Sequence, residues 1–473
     1  MSSSKFLVGA VGLAILLGPF GCDGGFHRPS VVVIVIDTLR ADHLGSYGYE
    51  RDTTPYLDEL AARSLLFENA VSAASATFPS VNSLFISKQA ALIFRTSAGD
   101  LGIPAEETTI AEVFREQGYR TAAVSSSPIV RASPSDFNPD GGFGQGFEIF
   151  DEECSDSRLF IPDHVAACVT EQAVAVLEAL PPEEPFFLYV HYLDPHDPYQ
   201  APSDPGGFVQ PYAGKEFIAN GHTWPLNEWL TTGEGEDPGV TPADIQHLKD
   251  LYDAEIRSAD EALQQLMDHF RKLGRYEDTL FVVLSDHGES FLENGALQHS
   301  YSLYQTELHV PVLFHWSARW SQGRRDSRVL CSVDIFPTLL EVVGLPLPPG
   351  LAGSAVLDAD GEPRGGERVC LSAGRSTWDA GRRHLDAVRR GRWKLIHDHL
   401  GQKYQFYDLV ADPGERDDRA PGETAEEIRQ FAELKELLAS QLEQTLRDAP
   451  APQERLELSP KAEQALRALG YVE

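Results

Sequence analysis

The 473-residue chain carries 39 basic against 72 acidic residues, a formal charge of −33, and 42% of its residues are apolar. That length and apolar share suit a globular protein with one large core or two. The charge excludes nucleic acid and anionic membrane as general partners, and it argues against polyanionic polymer substrates outside a local basic pocket.

The chain opens on "MSSSKFLVGAVGLAILLGPFGCDGG", with Lys5, an apolar run from Phe6 to Leu17, small residues and Cys22. The run is too short to span a bilayer, so residues 1–22 read as a signal peptide. Cys22 stands where bacterial lipoproteins carry their lipid, although Pro19 and Phe20 fit that pattern poorly. Two destinations follow: a periplasmic or cell-envelope lipoprotein anchored at Cys22, or a secreted protein. Cys154, Cys168, Cys331 and Cys370 remain. An even set permits two disulfides in an exported protein, with Cys154–Cys168 the easier local pair, and free buried thiols are the alternative.

Five apolar segments follow: "SVVVIVID" (30–37), "TAAVS" (121–125), "PFFLYVHY" (185–192), "TLFVVLSD" (279–286) and "HVPVLFHW" (309–316). Runs without polar alternation predict parallel strands covered on both faces. Helical patterns lie between them: "PYLDELAARS", "TIAEVFREQG", "CVTEQAVAVLEAL" and a long one from Pro242, capped by Thr241 with Asp244 three residues on and stopping at Gly274. The alternation predicts an α/β fold with a doubly wound sheet. Residues 200–240, rich in Pro, Gly and aromatics, break the rhythm and read as a lid insertion in a catalytic domain of residues 28–360. Beyond them, "DAVRRGRWKLIHD" and "KYQFYDLV" read as antiparallel strands and "ETAEEIRQFAELKELLASQLEQTL" as an amphipathic helix, a smaller C-terminal subdomain over 361–473.

In doubly wound sheets, ligands bind beyond the carboxyl ends of the strands. Asp37 and Asp286 each close a strand at that edge, and His287 follows Asp286. Two carboxylates and an imidazole brought together there call for a divalent cation; apart, each aspartate is a helix cap. The acidic run "DEECSD" (151–156) is a solvated loop or a calcium site.

With those residues in view, "VIVIDTLRADHLGSYGY", "TTPYLDELAARSLLFENA", "PFFLYVHYLDPHDPY", "TLFVVLSDHGE", "SLYQTELHVPVLF", "VDIFPTLLEVVGL", "RWKLI" and "YDLVADPGE" resemble, in order, the sulfatase family of the alkaline-phosphatase superfamily. The resemblance implies a three-layer α/β fold with a largely parallel central sheet and a smaller C-terminal α+β subdomain. It also implies one divalent cation (Ca, Mn, Mg or Zn), held by Asp37, Thr77, Asp286 and His287. The substrate it implies is an ester on a small molecule, saccharide or lipid headgroup.

The chain departs from the family at the nucleophile. Where sulfatases have Cys-x-Pro-Ser-Arg, it has Thr77, Phe78, Pro79, Ser80 and Val81, and the second aspartate is Thr38. The Lys-x-His segment is replaced by "SSSPIV" (125–130) and a later lysine by Tyr301. Oxidising a threonine gives a ketone, so no formylglycine is expected. The site resembles instead the phosphoethanolamine and phosphoglycerol transferases and the nucleotide pyrophosphatases of the superfamily, which use a metal-bound threonine. On that likeness Thr77 attacks phosphorus or sulfur, and His196 and His299 steady oxygens or protonate the leaving group. The competing readings are Thr77 as the N-cap of a helix over Pro79–Phe85 and His196 as a turn residue satisfied by Asp194; Lys394 reads as an exposed strand lysine, with reach into the pocket as its alternative. At the level of the whole chain they are a sulfatase working by another route, or a degenerate member that only binds.

Overall fold

The computed structural model describes residues 28–96, 102–135, 138, 141–155, 165–200, 204–223, 226–227, 229–230, 237–320, 322–376, 383–447 and 449. The expected signal peptide and Cys22 lie outside them.

Fourteen strands are present among the described residues: β1 (Ser30–Ile36), β2 (Leu65–Val71), β3 (Arg120–Ser125), β4 (Ile149–Asp151), β5 (Phe186–Tyr192), β6 (Thr279–Leu284), β7 (Ser290–Phe291), β8 (Leu297–Gln298), β9 (His309–His315), β10 (Arg324–Cys331), β11 (Val369–Ser376), β12 (Arg383–Arg390), β13 (Trp393–Asp398) and β14 (Lys403–Asp408). Eight form the central sheet in the order β10-β2-β9-β6-β1-β5-β3-β4, and β11 to β14 form a separate antiparallel sheet.

The central strands are apolar throughout because both faces are covered. Along β1, Val31, Val33 and Val35 pack on one side with Phe187, Tyr189 and Phe314. Val32, Ile34 and Ile36 pack on the other with Leu263, Leu266, Met267 and Phe270 of the long helix Pro242–Lys272. Each such side chain contributes roughly 1.5–3 kcal/mol by leaving water. The long helix starts as the sequence predicts: Thr241 and Asp244 form a reciprocal capping box, and the chain leaves the helix through Gly274 at φ +68°.

One expected parallel strand runs the other way. β9 pairs antiparallel with both β2 and β6, against seven strands that share a direction. The connection from β6 to β9 carries the β7–β8 hairpin and the short helix Gln305–Leu308, with no helix long enough to cross back over the sheet. A strand entered from the edge where its predecessor ended must run in reverse. Strands β2, β4 and β10, which carry exposed or half-buried polar residues, are not among the apolar segments of the sequence reading.

Both disulfides form, Cys154–Cys168 and Cys331–Cys370. The second ties the end of β10 to β11 and so joins the two sheets. The "DEECSD" segment is partly built into the fold rather than wholly solvated: Ser155 is buried, and Glu152 pairs with Arg131 at 3.1 Å. Lys394 also departs from expectation. It is buried on β13, with Nζ 2.7 Å from Glu415 and 3.3 Å from Gln305, because the loop after β14 folds over it.

A buried ion pair tolerates loss of both partners better than loss of one. Lys394→Ala is expected to lose about 3–5 kcal/mol, and Lys394→Met with Glu415→Leu to regain most of it. Urea unfolding followed by circular dichroism checks this; equal loss in both variants would contradict the pairing.

Candidate active site

Register brings the site together. Val35 of β1 pairs with Leu284 of β6 and with His191 of β5, so Asp37 and Asp286, each two residues further on, reach the same edge. Both are buried, as are Thr77, His191 and His287. Gly288 follows His287 where a side chain would strike the Thr306 carbonyl, 2.1 Å from the place of a Cβ, and its N–H donates to the Glu307 carbonyl at 2.8 Å. Glycine there lets the chain turn tightly and hold His287 over the strand ends.

Thr77 opens the helix Thr77–Ile86, two residues before the Pro79 start expected from the sequence, and the N-cap is Ala76. Threonine is therefore not the cap. Its Oγ1 lies 3.5 and 3.4 Å from the two Asp37 oxygens and 3.2 Å from His287 Nε2. The Nδ1–H of His287 donates to the Gly288 carbonyl at 3.0 Å, which leaves the Nε2 lone pair facing Thr77. Thr38, in the place of the family's second aspartate, is buried at φ +56° with no partner for its hydroxyl.

The electrostatics are unbalanced. Burial, reinforced by the charge of Glu289, raises Asp37 well above the usual carboxylate range. Burial and then Asp37 push Asp286 up to about 6. Burial also drives His191 down to about 4 and His287 down to about 3. Among the described residues, only histidines form ion pairs with the two aspartates, and burial disfavours their charged forms. Asp286 Oδ2 is buried without a hydrogen-bond partner. Donor atoms of Asp37, His191 and Asp286 lie within 4.8 Å of one another. Oxygen and imidazole donors with excess negative charge and an orphaned carboxylate oxygen fit a divalent cation.

His191 is the residue the sequence reading lacks. Its Nε2 is 3.0 Å from Asp37 Oδ2 and its Nδ1 is 2.8 Å from the Tyr189 hydroxyl. The available signal was an imidazole inside an otherwise apolar strand next to the one that ends in Asp37. The structure does gather the other expected residues. The His299 ring lies 4.5 Å from that of His287 and 4.8 Å from that of His196. His196 is fixed by its Nδ1–H donating to the Asp197 carbonyl at 2.6 Å, and His299 Nδ1 lies 3.1 Å from Glu289. Burial lowers His299 to about 3 and His196 well below the usual imidazole value. Val81, in the place of the family's arginine, is packed in the core, so no guanidinium enters from that position.

Residues 200–240 rest on this cluster where they are described. The Thr223 N–H and hydroxyl donate to Asp197 Oδ2 at 3.0 and 2.8 Å, and Asn227 reaches Gln298 at 2.5 Å.

Comparison with known proteins agrees with this geometry. A model of the sulfatase family matches residues 29–345, and one of the N-sulphoglucosamine sulphohydrolase C-terminal region matches residues 296–445. An ulvan-active sulfatase of Formosa agariphila is 26% identical over 406 residues, 82% of this chain and 76% of the relative. Iduronate 2-sulfatase of Homo sapiens is 24% identical over 397 residues, 68% and 70% of the two chains. Among solved structures, a 2-O GAG sulfatase superposes with a TM-score of 0.71 at 20% identity, over 92% of this chain and 96% of that one.

The acidic pair sets a pH dependence. An ordinary aspartate titrates near 3.9, whereas folded Asp286 does so at about 6, so the folded state holds a proton the unfolded state has lost. That stabilisation is complete below about pH 4 and disappears as pH rises through about 6. Chelated protein is expected to lose thermal stability across this window more steeply than protein saturated with a divalent cation. Scanning calorimetry from pH 4 to pH 7 tests it, and identical slopes would contradict the reading of the pair.

Proposed function

The chain belongs to the sulfatase family, and on that premise we propose that it hydrolyses an anionic ester by attack of Thr77 Oγ1 on the central atom. The observation that carries the proposal is the position of that hydroxyl at a helix N-terminus, between the Asp37 carboxylate and the His287 Nε2 lone pair. Family membership and the names of its relatives make a sulfuric ester on a saccharide the first substrate class. A phosphoric ester is the second, favoured by threonine itself. Sulfurylated threonine is a stable ester, and the formylglycine route that would release it is closed to this side chain.

Asp37, Asp286, His287 and His191 would hold the cation, with Thr77 beside them. When bound, a divalent cation would supply Lewis-acid charge that lowers the pKa of a neighbouring hydroxyl and offsets charge on the ester. The remaining work falls to the side chains. With the His287 Nε2 lone pair given to the cation, the Asp37 carboxylate, whose two oxygens lie 3.5 and 3.4 Å from Thr77 Oγ1, is the nearest group that can accept the Thr77 proton. The first N–H groups of the helix Thr77–Ile86 favour an anion at the same place. His196 and His299 are neutral because they are buried, and an anionic ester beside them would restore their charged, donating forms. They would steady the non-bridging oxygens or protonate the leaving oxygen. The ester's oxygen leaves as an alcohol while a Thr77–O–S or Thr77–O–P bond forms. Water then breaks the Thr77–O–P bond, returning the hydroxyl and releasing phosphate; on a sulfuric ester the same attack must cleave the more stable Thr77–O–S bond, and that step is the slow one. Thr223, Asn227 and their neighbours in 200–240 are the proposed lid and source of recognition. The two disulfides support export to an oxidising compartment.

Matched aryl sulfate and aryl phosphate substrates test the proposal with cation-loaded enzyme. Thr77→Ala is expected to lower kcat by roughly 10³-fold or more, with Thr77→Ser retaining part of the rate. His196→Gln is expected to lower kcat by about 10²–10⁴-fold. Full turnover in Thr77→Ala would contradict the proposal, and the preferred substrate decides between the two ester classes.

A further inference from the structure

A second cluster of metal-ligating side chains lies on the C-terminal sheet. Strand β12 carries His384 and Asp386, and β13 with the residue after it carries His397 and His399. Alternation places each pair on one face of its strand. Asp386 pairs across the sheet with His397, and His399 N donates to the His384 carbonyl at 2.9 Å, so all four share a face. The rings are in contact: His384 to His399 at 4.3 Å and His397 to His399 at 3.9 Å.

The donor atoms converge on one carboxylate oxygen. Asp386 Oδ2 lies 3.6 Å from His384 Nε2 and 2.7 Å from His399 Nε2, and the three donors fall within 4.8 Å of one another. His399 Nε2 meets this oxygen as an ion-pair contact, and neither atom has a further hydrogen-bond partner among the described residues. The Asp386 side chain is only 2% exposed. Its other oxygen accepts from Arg375 at 2.7 Å, which fixes the carboxylate in the manner of the outer partners that orient metal ligands. Burial would raise Asp386, but His384, His399 and Arg375 together hold it below the ordinary carboxylate range. His397 is stacked on Tyr404 with centroids 4.1 Å apart and backs the His399 ring.

We propose that His384, Asp386 and His399 form a second metal site, for a divalent transition metal of the zinc class, separate from the site around Asp37. Two imidazoles and one carboxylate suit Zn²⁺ or Co²⁺ better than Ca²⁺ or Mg²⁺, which take oxygen ligands. Separations of 2.7–3.6 Å about Asp386 Oδ2 need only small side-chain shifts for donors about 2.0–2.2 Å from one ion. His384 is 44% exposed, so the site opens to solvent and leaves a coordination position for water. Its place gives it a structural link to the first site. Asp386 faces Ala373 across β11 and β12, and Ala373 N donates to the Ala73 carbonyl at 2.9 Å, four residues before Thr77.

Metal-free protein titrated with Zn²⁺ against a chromogenic chelator tests the proposal through stoichiometry. Wild type is expected to bind one equivalent more than His399→Ala or His384→Gln, both at partly exposed positions. The affinity of that equivalent should fall by more than the roughly 10–100-fold that loss of an outer partner costs. Co²⁺ gives a second readout: tetrahedral visible absorption should persist in Asp286→Asn and vanish in His399→Ala. Equal stoichiometry in wild type and both variants overturns the proposal, as does a Co²⁺ signal that depends on Asp286 alone. Circular dichroism confirms that the variants are folded.

Discussion

Two carboxylates buried side by side are the constraint on which this molecule is built. Asp37 and Asp286 close adjacent parallel strands with His191 on the next, and no lysine or arginine among the described residues pairs with either. In low dielectric, such a pair must take up a proton or a cation. The donor set fits the cation, because the fold crowds neutral imidazoles and an orphaned carboxylate oxygen around the same point. The rest of the site is arranged around that need: Thr77 at the head of its helix, His287 held by the tight turn at Gly288, and His299 and His196 packed ring to ring behind it.

On the proposed reading, threonine would change the chemistry that the family scaffold performs, although the scaffold itself is kept. The charged groups that grip the anion elsewhere in the family are replaced here by Val81, Tyr301 and a serine run. Anion binding would then rest on the helix N-terminus, the cation and two histidines whose neutral forms come from burial. Such a site would be silent until an anion arrived, because the ester itself would restore the positive charge. The segment 200–240 touches Asp197 and Gln298, next to those histidines, so recognition and charge would be coupled in space.

Much of this was legible in the sequence, for physical reasons that also mark the limits. The central strands β1, β3, β5 and β6 announce themselves because double burial leaves no room for polar alternation. The capping box at Thr241 and Asp244 is a local code, spelled out within four consecutive residues. Strands β2, β4 and β10 leave a weaker mark because partial exposure dilutes their apolar signal. The reversal of β9 is set by the connection before it rather than by its own residues. Asp37, Asp286 and His287 stand out because they close strands, whereas His191 is inside one and its role depends on which strand lies beside it. Lys394 looked solvent-exposed because its partner, Glu415, is distant in sequence and meets it only after the loop folds over. The pairing of Cys331 with Cys370 likewise depends on how two sheets dock.

The most direct test of the account is to quench the cation-loaded enzyme during turnover and map the modified peptide by high-resolution mass spectrometry. The account predicts one sulfuryl or phosphoryl group on Thr77, absent when substrate is omitted. An enzyme that turns over ester while Thr77 stays unmodified under conditions that trap the intermediate, with the group on another residue, would contradict it.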